Sequence, residues 1–140
     1  MHDSSPPADL ATLLHAAAAA QEEVEGKLGE IGLSLARLAA LRVLSGAGES
    51  MPLTQLAEKL SCVKSNITQL VDRLESDGLV RRQLDPKDRR ARLATLTPAG
   101  RTACQEGTRV QDAAEHRLLQ KLSAAESRQL AGLLTKLGKQ

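Results

Sequence analysis

Residues 54–90 read TQLAEKLSCVKSNITQLVDRLESDGLVRRQLDPKDRR, and the spacing of the apolar positions within them decides the fold. Thr54 follows Leu53 and is placed to cap a short helix reaching about residue 60, with Leu56, Ala57 and Leu60 turned inward. Ser61, Cys62 and Val63 leave room only for a tight turn. Over residues 64–77 the apolar set Ile67, Leu70, Val71 and Leu74 recurs at i, i+3, i+4 and i+7, the stripe of a helix with one buried face. Gly78 stops that helix at the C′ position. The period then changes. Residues 79–84 and 91–96 read as two short strands, and Asp85 and Pro86 are turn formers, so residues 85–90 form the exposed tip of a hairpin.

The flanks are helical. Residues 1–7 are polar with two prolines and are expected to form a disordered tail. Residues 8–28 are Ala-rich and read as a long helix with Leu10, Leu13, Leu14, Ala17 and Val24 near one side, broken by Gly29 and Gly32. Ser34 is placed to cap a second helix to about residue 45, carrying Leu35, Leu38, Leu41 and Leu44, and residues 46–50 read as a loop. Beyond the hairpin, Thr97 at N-cap and Pro98 at N1 open a helix to about residue 121. Ser123 and Glu126 form a capping box for a last helix with Leu130, Leu133, Leu134 and Leu137.

Composition agrees. The chain has 140 residues, 41% hydrophobic and 26% charged, which suits one compact domain with a core. It contains 25 Leu and 21 Ala against 8 Ile and Val together, and no Phe, Trp or Tyr, which excludes an all-β domain. The missing rings also argue against binders that stack single-stranded bases on aromatics. No apolar run approaches the roughly 18 residues of a membrane span, and the N-terminus has no secretion-signal pattern. Two cysteines are too few for a disulfide framework, so a cytoplasmic protein is expected.

Net charge is only +2 but unevenly spread: −4 over residues 1–50, +3 over 51–100 and +3 over 101–140. Residues 79–92 hold six Arg or Lys against two Asp. Such asymmetry points to a polyanion partner or, on charge alone, to a solvated basic loop.

A helix, a tight turn, an amphipathic helix and a hairpin with a basic tip make a winged helix-turn-helix, and each part has a role in reading duplex DNA. With the stripe of the second helix inward, Ser65, Gln69, Asp72 and Ser76 point away, flanked by Asn66, Thr68 and Arg73. Asn and Gln pair bidentately with adenine, Arg with guanine, and Thr touches a thymine methyl. Direct readout is therefore assigned to Ser65, Asn66, Thr68, Gln69 and Arg73, and phosphate positioning to Thr54, Gln55 and Lys64. At the tip, Arg89 and Arg90 are placed to enter a narrow minor groove, with Arg81, Arg82 and Lys87 adding phosphate attraction. An ordinary polar surface accounts for either piece alone, but not for a basic run directly following a helix-turn-helix.

The segments 54–60, 64–75, 78–82, 85–90 and 96–100 together resemble the MarR family of bacterial transcription regulators, and the resemblance covers nearly the whole chain. It implies a mainly α fold with a small β-hairpin wing, the winged lobe at 50–97 flanked by dimerisation helices at 8–45 and 98–138 within a single domain, 8–140. It also implies a homodimer whose subunits each read half of a palindromic operator, and a small-molecule effector site between the dimer helices and the wing lobe. The family's wing motif falls on Asp88 and Arg90, with Asp88 stabilising the wing. Two features depart from the pattern: Val63 stands where a serine often caps the recognition helix, leaving the Ser61 hydroxyl as a candidate cap, and no aromatic ring is on hand to line an effector pocket.

Dimerisation has separate support, because without a partner the leucines of the last helix form an exposed patch of a size rare in monomers. Cys62, just before the recognition helix and near Lys64, has two readings: a thiol primed for a redox switch, or a small apolar residue buried in the turn, which is the simpler one. Cys104 reads as structural. His2, His15 and His116 show no ligand spacing, so neither metal nor other cofactor is expected. There is no phosphate loop, nucleophile elbow or HExxH helix, which argues against an enzyme. The competing function is a winged helix that docks protein instead of DNA; it needs no arginine at the wing tip.

Overall fold

The computed structural model describes residues 5–60 and 67–138. Helix α1 (Leu10–Gly29) begins at Asp9, whose carboxylate accepts the Thr12 N–H at 2.8 Å, a bond that holds this carboxyl below its usual range. Helix α2 (Leu35–Gly46) starts at Ser34 as its sequence predicts, the hydroxyl accepting the Arg37 N–H at 3.2 Å. A second acceptor reaches the same end from α1: Glu25 Oε1 takes the Leu35 N–H at 2.6 Å.

The loop expected at 46–50 runs instead into a short strand, β1 (Ser50–Pro52), which pairs antiparallel with the wing. Helix α3 (Leu53–Lys59) follows without a gap. Thr54 does not cap it: Pro52 is the N-cap residue and no side chain bonds there, because the chain passes straight from the strand into the helix and leaves Thr54 inside the first turn. Helix α4 (Ile67–Ser76) buries Leu70, Val71 and Leu74 as the stripe requires. Gly78, at φ +75°, ends it, with the Leu79 N–H returning to the Leu74 carbonyl at 2.9 Å.

Strands β2 (Val80–Asp85) and β3 (Asp88–Leu96) complete a three-stranded sheet in the order β1-β3-β2. Strand β3 begins three residues earlier than expected, so Arg89 and Arg90 are strand residues and the tip is only residues 86–87. Two aspartates explain this. Asp85 Oδ1 accepts the Lys87 N–H at 2.9 Å and Asp88 Oδ1 accepts the Arg90 N–H at 3.0 Å, so the turn is tied locally and pairing persists to Asp85 opposite Asp88.

Thr97 caps α5 (Pro98–Leu119), its Oγ1 accepting from Gly100 N–H at 3.0 Å while donating to the Gly78 carbonyl at 2.7 Å. Gly100 lets α5 close on the lobe; a Cβ there would stand 2.1 Å from the Leu79 carbonyl oxygen. Ser123 and Glu126 form the capping box of α6 (Ala124–Gly138), with bonds of 3.1 and 2.9 Å. The core lies between α2, α5 and the sheet, where Leu28, Leu38, Leu41, Leu44, Leu56 and Leu74 are fully buried. Helix α6 buries nothing, and α1 buries only Val24 and Leu28.

Candidate nucleic-acid interface

Helix α4 turns Thr68, Gln69, Asp72 and Arg73 outward, the face its apolar stripe requires. Thr54 and Gln55 are exposed at the start of α3. Cys62, Lys64, Ser65 and Asn66, with the Ser61 cap, lie outside the described residues. Arg73 belongs to the C-terminal half of α4, where its Nε stands 3.3 Å from Asp77 Oδ2. Arg89 and Arg90 are exposed on β3 and, as strand neighbours, project to opposite faces of the sheet. Neither makes an ion pair among the described residues. Asp88 acts on the backbone of the wing by accepting the Arg90 N–H.

Carboxylates on a helix expected to approach phosphates would oppose binding, and the structure shows what they hold instead. Asp72 pairs with the Arg82 guanidinium, and Glu75 accepts the Arg82 backbone N–H at 3.2 Å while its carboxylate forms an ion pair with Arg82 Nη1 at 3.9 Å. The Thr68 carbonyl takes a further Arg82 N–H at 3.4 Å. Arg82 therefore does not offer itself to phosphate. It fastens the wing to α4. The signal was in the strand period: Arg82 shares the face of buried Val80, the face turned to α4. Arg82 and Arg92 also line a cleft of about 370 Å³ with Leu53, Ile67, Thr68 and Val71.

At the far end of α4, Asp77 is held by Arg73 and by Arg37 of α2, each at 3.3 Å. Sequence reasoning missed Arg37, which lies 40 residues away. Beside it, between the α1–α2 turn, the end of α4 and α5, lies a cleft of about 330 Å³ walled by Ile31, Leu33, Leu79 and Ala103, with Arg73, Asp77 and Glu106 at its edge. Cys104 is buried on α5. Among the described residues no group of three His, Cys, Asp or Glu could hold a metal ion, and no helix is long and apolar enough to cross a membrane.

A family model described as "MarR family" matches residues 33–91, a span from the turn before α2 into the wing. An HTH-type transcriptional repressor of Mycobacterium tuberculosis is 32% identical over 126 residues, 90% of either chain. The crystal structure of a probable transcriptional regulator from Pseudomonas aeruginosa superposes with a TM-score of 0.78 at 32% identity, covering 89% of this chain and 92% of that one. A mutant of MarR from Escherichia coli complexed with operator DNA is similar at a TM-score of 0.78 and 26% identity, over 92% and 93% of the two chains.

Proposed function

Since the chain belongs to the MarR family of DNA-binding transcription regulators, we propose that it is a homodimeric repressor that binds a palindromic operator and is released by a small molecule or by oxidation. Thr68, Gln69 and Arg73, with Ser65 and Asn66, read base edges in the major groove; Thr54, Gln55 and Lys64 contact phosphates. Arg90 and Arg89 enter the minor groove, and Asp88 holds the wing in shape for them. It is a regulator and not an enzyme, it acts in the cytoplasm, and residues 8–45 and 98–138 form the dimer. Its partners are duplex DNA, a second copy of itself and a small-molecule effector.

One observation carries this reading. Asp72, Glu75 and Asp77 are each engaged by an arginine of another element, while Arg89 and Arg90 stand exposed on the wing without an ion pair among the described residues. The acids on and just after α4 are neutralised within the protein, while the wing's outer cations remain for a polyanion. A protein-docking winged helix gives no reason for that division. For the effector, the 330 Å³ cleft lies between arm and lobe, and its aliphatic walls favour a compact aliphatic body over a stacked ring.

A gel-shift titration against the DNA upstream of the protein's own gene, with random duplex as competitor, tests this. Saturable binding that survives competitor is expected. Binding no tighter than to random duplex, extended to a genome-wide selection of bound fragments that enriches nothing, would leave the protein-docking reading. Repeating the titration after peroxide tests release by oxidation; Cys62→Ser should abolish any loss of binding, and a variant as sensitive as the parent rules Cys62 out.

A further inference from the structure

One arginine joins the helical arm to the end of the recognition helix. In the first turn of α2, Arg37 donates from Nη1 to the Gly32 carbonyl at 2.9 Å and to Asp77 Oδ2 at 3.3 Å, and from Nε to Ser34 Oγ at 3.2 Å. Its side chain is only 17% exposed, so the charge is engaged within the protein and is not offered to phosphate. Both ends of the link are stiff. On the arm side, Gly32 (φ +77°) closes the α1–α2 turn, the Leu33 N–H donates to the Leu28 carbonyl at 2.9 Å, and Glu25 of α1 holds the Leu35 N–H. On the helix side, the Asp77 N–H donates to the Arg73 carbonyl at 2.9 Å and Gly78 fixes the turn that follows. With Arg82 holding the opposite side of α4 to the wing, the recognition helix is clamped between wing and arm.

We propose that Arg37 is a positioning residue for operator recognition: through Asp77 it fixes the angle at which α4 leaves the arm, and thereby the half-site spacing the protein accepts. The proposal rests on the dimeric reading above. In a two-fold dimer the separation of half-sites mirrors the separation of recognition helices, and one inserted base pair displaces a half-site by about 3.4 Å along the axis while rotating it. A lobe clamped to its arm cannot follow that displacement. Without the clamp, the end of α4 is held to α2 by packing alone and yields to it more easily.

The test uses the full chain and a duplex recovered by selection from genomic fragments, resynthesised with one base pair added or removed between the half-sites. Affinities are measured by fluorescence anisotropy for wild type, Arg37→Gln and Arg37→Met, which remove the bond to Asp77 and leave its pairing with Arg73 in place; thermal melts confirm that at least one variant is folded. Wild type is expected to lose about tenfold or more on a one-base-pair change, the scale of a misplaced contact set. The folded variant is expected to lose no more than about threefold, with base preferences within each half-site and the slope of log affinity against log salt unchanged, since no phosphate contact is removed. Weakening by the same factor at every spacing would mean a merely structural role and overturn the proposal, as would a variant as sharp as wild type. Wild type that prefers no duplex would overturn the functional reading and this proposal together; a sharp wild type with a sharp variant overturns this one alone.

Discussion

Helices α4 and α6 carry the same apolar signature and meet opposite fates. In α4, Leu70, Val71 and Leu74 are at most 8% exposed, pressed on the sheet and α2. In α6, Leu130, Leu133, Leu134 and Leu137 are 36–70% exposed, and at the start of α1 Leu10, Leu13 and Leu14 are 42–68% exposed. A periodic stripe specifies which face of a helix is apolar, not what covers it. The lobe covers its own stripe and is complete within one chain. The terminal helices leave theirs exposed, and a contiguous apolar patch of several leucines is uncommon on a monomer.

Substitutions that treat the two stripes alike should separate them. Leu74→Ala should lower the free energy of unfolding by about 2–5 kcal/mol, the cost of a cavity in a packed core, read by denaturant titration. Leu133→Glu with Leu137→Glu should leave the lobe folded but give a monomer by light scattering. Its operator affinity should fall by roughly 100-fold or more as two linked half-site contacts become one. A double variant that stays dimeric would show that α6 is not the cover α1 needs. Arg90→Ala should weaken operator binding by about 1–3 kcal/mol, the scale of one good groove contact, and flatten the salt slope by about one. Unchanged affinity at physiological salt would remove the wing from the account. Gly100→Ala sharpens the boundary between the regions: its methyl meets the Leu79 carbonyl, and a loss of about 1–3 kcal/mol in thermal melts is expected.

The smallest effect lies at the arm's free end. The Asp9 carboxyl is held below its usual value by the Thr12 N–H, so its contribution is full above pH 4 or so and is lost as pH falls through the lowered value. Circular dichroism should show a slight loss of helix at acid pH that Asp9→Ala already displays at neutral pH.

Much of this was legible because local chemistry decides it. Ser34, Thr97 with Pro98, and Ser123 with Glu126 each satisfy backbone groups within one helical turn, and the structure places those helix starts where their sequences predict. Strand β1 was not legible: three residues carry no period, and only pairing with Leu93, Ala94 and Thr95, over 40 residues on, makes Ser50–Pro52 a strand. The same distance hid Arg37 from Asp77. Arg82 was misread for a different reason. Its charge suggested phosphate, while its place in the strand alternation put it on the face turned to α4, where three acceptors take up that charge. Thr54 lost its capping role to a strand that ends where the helix begins.

The proposed function joins two parts, a winged lobe that reads DNA and exposed terminal helices that pair two such lobes. Hydroxyl-radical footprinting of the selected duplex tests both halves at once. Two equivalent protected patches about one helical turn apart are expected, with outer minor-groove protection that Arg90→Ala removes while the central patches persist. A single unpaired patch, or protection indifferent to Arg90, would contradict the proposed function.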